Sequence, residues 1–193
     1  QREVLNWVGQ NNAKWFDRFG YHYFTREIFD AFYPGYGASW PLYQGSIAMT
    51  YEMASARGHH YRRSDGTVVT FADGIQRNFV AFMATLETAS QRAKPLLQRF
   101  YQYRKDAVAQ GRKAKTRSYI FPASRDKAGH QRLTALLTEQ GIKVTQATKA
   151  FSACGTDYQS GAYVIDSAQS TYHLMRTLLD TDVPMDPPFI KQQ

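Results

Sequence analysis

Gly45-Ser46-Ile47-Ala48-Met49-Thr50-Tyr51-Glu52-Met53-Ala54 alternates without a break. Successive side chains of a strand point to opposite faces, so Ile47, Met49, Tyr51 and Met53 share one face and Ser46, Ala48, Thr50, Glu52 and Ala54 the other. This period of two predicts a β-strand. One face is apolar; the other carries small residues and a single carboxylate. A Glu there either stands in solvent or sits in a shallow cleft, where partial shielding raises its pKa and suits it to general-base work. Just upstream, Tyr33-Pro34-Gly35-Tyr36-Gly37-Ala38-Ser39-Trp40-Pro41 is dense in glycine, proline and aromatics. A flexible linker does not spend Trp and Tyr, so the stretch reads as a structured loop.

Working outward, residues 2–19 place Val4, Leu5, Val8, Trp15, Phe16 and Phe19 partly at helical spacing, with Gly20 as a stop. Thr25 is placed to cap a short helix over 26–32. Asp65-Gly66 marks a turn. Thr70-Phe71-Ala72-Asp73 resembles a capping box with Asp in place of Glu. It opens a long helix with Ile75, Phe79, Phe82, Met83 and Leu86 down one side, the side expected to face a core. Lys94-Pro95 predicts a break and a new helix carrying Leu96, Leu97, Phe100, Tyr101 and Val108, ended by Gly111. Residues 112–116 then read as an exposed linker, which divides the chain into 1–112 and 113–193.

The last third changes character. Strands are expected at 118–123, 142–146 and 163–165. A helix over 127–140 is expected between the first two, with Ser124 at its start, Leu133, Leu136 and Leu137 buried and Gly141 at its end. Ser167 is expected to cap a final helix carrying Tyr172, Met175, Leu178 and Leu179, with Pro184 after it. Strand–helix–strand at this spacing predicts a parallel sheet with right-handed crossovers. Three strands make a thin sheet, as expected of an incomplete domain.

Composition bounds the function. With 193 residues, 43% apolar and 21% charged, the chain is long enough for a buried core and is not a disordered polymer. No apolar run reaches the roughly 18 residues of a membrane-spanning helix. Cys154 is the one cysteine, so no intrachain disulfide is possible, and it reads as a small loop or core residue. The net charge of +8 is concentrated: Arg92, Lys94, Arg99, Arg104, Lys105, Arg112, Lys113, Lys115 and Arg117 face one anion, Asp106. Such a segment suits either a solvated helix face plus linker or a surface for nucleic acid or another anion. In Arg99-Phe100-Tyr101-Gln102-Tyr103-Arg104-Lys105 the interleaving of cations with aromatics suits single strands, but the aromatics fall partly on the apolar helix face, where core packing is the expectation. The histidines His22, His59, His60, His130 and His173 lack metal-ligand spacing and read as surface or loop residues. Neither a nucleophile elbow nor a phosphate-cradling loop occurs. The chain opens at Gln1 and closes on Phe189-Ile190-Lys191-Gln192-Gln193, so both ends read as cuts through a longer protein, and the lack of a leader says nothing of targeting.

The loop Tyr33–Pro41 followed by Gly45–Ala54 resembles the zinc carboxypeptidase family, the carboxypeptidase A-like metallopeptidases. It is most similar to a bacterial subgroup with an extra domain behind the catalytic one. The resemblance covers about residues 1–110 and rests on an aromatic-glycine loop, then a strand ending in Glu. Residues 118–193 are similar, more weakly, to class I glutamine amidotransferase-like α/β domains. The resemblance implies the C-terminal portion of an α/β/α peptidase fold, then a small parallel α/β domain. It implies a zinc ion that polarises the scissile carbonyl and its water, with Glu52 as general base and then general acid toward the leaving amine. It implies Tyr33, and after it Tyr36, in a mobile loop that closes over the substrate C-terminus. The family's His-x-x-Glu pair and later His, and its Arg and Asn anchors for the substrate carboxylate, lie upstream of this segment, so no metal ligand is expected in this chain and the segment alone is expected to be inactive. Peptide substrates and a periplasmic or secreted location follow from the same resemblance. The alternatives are a non-catalytic protein of peptidase fold and a binding module working through the basic segment.

Overall fold

The structure, a computed structural model, describes residues 1–24, 33–56, 58–182 and 187. The helix expected over 26–32 with its cap Thr25, and Pro184, lie outside the described residues. The chain mixes helix and sheet and divides into two units, Gln1–Gln102 and Tyr103–Gln193.

The first unit is ordered by its helix ends. α1 (Arg2–Phe19) stops where Gly20 turns left-handed at φ 67°, and the Gly20 and Tyr21 amides donate to Asp17 and Phe16 carbonyls. A four-residue turn of helix, α2 (Trp40–Tyr43), follows, then the antiparallel pair β1 (His60–Arg62) and β2 (Val68–Thr70). α3 (Phe71–Gln91) starts on a complete capping box: Thr70 Oγ1 accepts from the Asp73 amide at 3.1 Å, and Asp73 Oδ2 accepts from the Thr70 amide at 2.8 Å. Donation from the Thr70 amide first, and then from its hydroxyl, holds the Asp73 carboxyl below its ordinary pKa. The chain breaks at Arg92, and α4 (Ala93–Lys113) begins with Pro95 in its first turn, as expected.

The core-facing side of α3 is a correction. α1 packs along α3, and α3 buries Val80, Ala81, Ala84 and Thr88. The apolar row expected there is turned outward: Ile75, Phe79 and Phe82 are 56%, 60% and 57% exposed, and Leu86 is exposed with them. Small side chains let two helices approach closely, and Val4 and Val8 of α1 are buried. Two apolar stripes therefore run along α3, and the smaller one makes the contact. α4 repeats this, burying Ala107 and Gly111 while Leu97 and Tyr101 are 69% and 67% exposed. Gly111 does not end α4 but lies inside it.

The strand expected over 45–54 is a second correction. Residues 46–56 run without helix, turn or ladder. Among the described residues, 47–54 make no backbone–backbone hydrogen bond. Alternation supplies the faces of a strand but not its partner, and a strand is defined by its ladder.

In the second unit, β3 (Ser118–Phe121), β4 (Thr145–Gln146) and β7 (Tyr163–Asp166) form a sheet in the order β3-β7-β4, and β7 is antiparallel to both neighbours. The expected parallel sheet is thus overturned among the described residues. α5 (Lys127–Glu139) carries the chain from β3 to β4, which run the same way, as a helical crossover requires. Between β4 and β7, however, stands no helix but a hairpin, β5 (Phe151–Ala153) with β6 (Thr156–Tyr158), so the chain returns in the opposite sense and β7 inserts between the two. The hairpin turns at Cys154 and Gly155, both at positive φ (50° and 75°), as a two-residue primed turn requires, and Cys154 is exposed. Asp126, not Ser124, caps α5 by accepting from Gly129 at 2.8 Å. Ser167 caps nothing: its hydroxyl donates to the Thr116 carbonyl at 2.8 Å, and α6 (Tyr172–Leu179) starts after Thr171. Leu137, Ile142, Ile165, Leu174 and Met175 form the core, while Leu136 is exposed.

One cluster of this unit sets its alkaline limit. Tyr119 of β3 donates to Asp180, which Arg176 also holds at 2.6 Å. Burial first, then the Asp180 contact, pushes the Tyr119 phenol up to about 12. A group whose pKa is raised by folding contributes fully below its unfolded value, about 10 for Tyr, and loses that contribution as the pH climbs toward the folded value. The melting temperature of this unit is therefore expected to fall between pH 10 and about 12, and Tyr119→Phe is expected to flatten that fall. Identical alkaline slopes for wild type and Tyr119→Phe would count against the assignment.

Candidate functional site

The candidate site is the stretch from Tyr33 to Ala54. Residues 33–39 fold as consecutive turns: the Tyr36 amide donates to the Tyr33 carbonyl at 3.3 Å, and the Ser39 and Trp40 amides donate to the Tyr36 carbonyl at 2.9 Å. Ser39 is buried, and Gly45, at φ 90°, turns the chain out of α2. Gln1 Nε2 donates to the Leu42 carbonyl at 2.8 Å and to the Ser46 carbonyl at 3.2 Å, tying the start of α1 to this corner.

Tyr33 and Tyr36 come together. Their rings meet edge to face, with centroids 5.3 Å apart and planes at 83°, and both are exposed. Gly35 permits the arrangement, because a Cβ there would lie 2.6 Å from the Tyr33 ring. Both hydroxyls thus belong to one exposed aromatic corner built on a tight turn.

Glu52 is exposed on the open segment. No strand forms, and burial follows the alternation only at Met53: Ile47, Ala48 and Met49 are all half-buried, Thr50, Tyr51 and Glu52 are all exposed, and Met53 is half-buried between exposed neighbours. Met53 lies against α3 near Gly74. Tyr51 reaches both helices: its hydroxyl accepts from Asn12 Nδ2 at 3.0 Å and lies 2.6 Å from Thr85 Oγ1.

A second polar knot lies between α1 and α3. Asn11 Nδ2 donates to the Ala84 carbonyl at 2.8 Å, Glu87 Oε2 at 2.9 Å and Thr88 Oγ1 at 3.0 Å, and Trp15 Nε1 donates to the same Glu87 oxygen at 2.7 Å. Donation from Asn11 and then Trp15 holds the Glu87 carboxyl below its ordinary value. Sequence reasoning missed Asn11, Asn12, Thr85 and Glu87. The signal was present: an Asn pair in mid-helix is locally unfavourable, because asparagine competes for backbone hydrogen bonds, and it needs a tertiary partner to be worth keeping.

Among the described residues no group of three His, Cys, Asp or Glu side chains could hold a metal ion. His130 and His173 lie on helices, α5 and α6, and are half-buried. His130 packs edge to face on Phe121 and Tyr163, and His173 lies 5.0 Å from the Tyr103 ring, its pKa lowered first by burial and then by Arg176. In the basic segment, Arg92 covers the Trp7 ring at 4.7 Å, Arg99 pairs with Glu3 at 2.6 Å and Arg104 donates to Ser170 at 3.3 Å. These cations serve the helix surface. Among the described residues no helix is long and apolar enough to cross a membrane.

No protein family, curated protein or solved structure matches the chain.

Proposed function

We propose that this chain is the C-terminal part of a zinc-carboxypeptidase-like catalytic domain with an α/β domain after it, and that the whole protein releases C-terminal residues from peptides with Glu52 as general base. The observation that carries this reading is the placement of Glu52. It is exposed on the small-residue side of an unpaired segment, one corner downstream of the exposed Tyr33–Tyr36 pair. Among the described residues it has no hydrogen-bond or ion-pair partner, so the carboxylate is available to a water.

The chain's own part in the reaction is proton transfer and positioning. Glu52 takes a proton from the water whose oxygen bonds to the scissile carbonyl carbon. As the C–N bond breaks, it gives that proton to the leaving amine, so a carboxylate and a free amino acid result. Tyr33, with Tyr36 beside it, offers a hydroxyl to the C-terminal end of the substrate. In this reading the zinc is held by residues outside this chain, and this chain supplies the general base. Peptide or protein substrates and a periplasmic or secreted location go with this reading.

The test is hydrolysis of a panel of blocked dipeptides, with basic and apolar C-terminal residues, by the full-length protein. Release of the C-terminal amino acid that stops on chelation and returns with zinc is the expected result. A zinc-loaded protein that cleaves none of the panel would overturn the reading.

A further inference from the structure

The open segment 46–54 has no ladder to fix which way its side chains face, and a rotation of one residue would turn Glu52 from solvent onto the helices. Tyr51 prevents this. With the Thr85 hydroxyl donating to the Ala81 carbonyl at 2.8 Å, the phenol donates in the 2.6 Å contact with Thr85, a better acceptor than the Met49 sulfur at 3.7 Å. With that proton committed, the Tyr51 oxygen presents lone pairs, and Asn12 Nδ2 fills one at 3.0 Å. The same logic fixes the amide: Asn12 must turn its NH2 to Tyr51, which leaves its Oδ1 buried without a partner. A buried unsatisfied carbonyl is costly, and the arrangement tolerates it to keep the Tyr51 contact. The phenol is thus held as donor by α3 and as acceptor by α1.

We infer that Asn12 and Thr85, acting through the Tyr51 hydroxyl, are positioning residues for Glu52. The inference rests on the reading of Glu52 as general base. The Tyr51 ring is exposed, but its hydroxyl is tied to α1 and α3 at two points, so Glu52, the next residue, cannot rotate onto the helices without breaking that tether. Neither Asn12 nor Thr85 meets substrate in this account. Their effect is on how often the Glu52 carboxylate stands where a water can use it.

The experiment compares the full-length protein with Tyr51→Phe, Thr85→Val, Thr85→Ser and Glu52→Gln, reading kcat and KM on a blocked dipeptide and the rate at which a broad-specificity protease cuts within residues 46–56. Tyr51→Phe should lower kcat about ten-fold while KM changes less than about two-fold, because misplacing a catalytic group spoils the reacting geometry rather than binding. Cutting within 46–56 should quicken at the same time. Thr85→Val should reproduce both changes, and Thr85→Ser, which keeps the acceptor, should reverse them. Unchanged cutting in Tyr51→Phe would show that the phenol tethers nothing. Quicker cutting with undiminished kcat would show a tether without consequence for catalysis. Either result overturns the inference while leaving the general-base reading intact. Full activity in Glu52→Gln would instead bring down that reading, and the positioning role with it.

Discussion

Glu52→Gln in the full-length protein is expected to lower kcat by about 10²–10⁴-fold, the range of general acid–base catalysis, and toward its upper end because the same carboxylate is used twice. The amide keeps the shape and the hydrogen-bonding reach of the acid but cannot take a proton. Metal content should hardly change, since Glu52 is not a ligand in this reading. KM should move little, because nothing in the exposed placement of Glu52 makes it a binding group for the peptide. Tyr33→Phe should cost much less and act mainly on KM, since its hydroxyl positions and does not transfer a proton. The measurement is steady-state hydrolysis of a blocked dipeptide, with metal quantified in each variant. A Glu52→Gln enzyme that kept more than about a tenth of wild-type kcat with its metal bound would remove general-base catalysis by this residue.

The largest stability effect is expected at Gly111. A Cβ there would lie 2.5 Å from the Ser167 carbonyl carbon, closer still to its oxygen, and 2.9 Å from the Ala168 amide nitrogen. These are backbone atoms, and no rotamer change can move them aside. Two effects compete in Gly111→Ala. Helix propensity favours alanine by about 0.5–1 kcal/mol. Overpacking costs about 1–3 kcal/mol and sometimes more, and against a rigid backbone the upper part of that range applies. The net change should be destabilising by about 2 kcal/mol, with each kcal/mol lowering the melting temperature by about 4–8 °C for a unit of this size. Thermal unfolding followed by circular dichroism decides the matter. A melting temperature that stays level or rises would mean that propensity wins and the close approach is slack.

What could be read from the sequence was local. The Thr70–Asp73 capping box, the Gly20 stop and the Pro95 restart all stand as read, because each is settled by residues within a turn of one another. What went wrong needed a partner. Ile47 to Met53 has the right alternation but no neighbouring strand among the described residues. α3 carries two apolar stripes, and packing along α1, where Asn11 reaches the Ala84 carbonyl and Thr88, buries Ala81 and Ala84 rather than Phe79 and Phe82. β7 runs antiparallel because a hairpin, not a helix, leads to it, and the primed turn at Cys154-Gly155 lacked the usual Asn-Gly signature. In the candidate site the sequence pattern singles out Glu52, Tyr33 and Tyr36, and the structure leaves all three exposed, with the two tyrosine rings in contact. Asn12 and Thr85, which hold Tyr51, were legible only in part: the mid-helix Asn pair signals the need for a tertiary partner, but nothing along the chain says that the partner is Tyr51.

The turn at Cys154 has a practical consequence. It carries the chain's single thiol, exposed at the tip of a two-residue turn whose flanking rings, Phe151 and Tyr158, are stacked 5.1 Å apart. A maleimide dye would attach to this chain at one place, on a hairpin tip, without any engineered cysteine. Its fluorescence anisotropy would then follow the tumbling of the unit that carries it, turning a backbone oddity into a built-in spectroscopic handle.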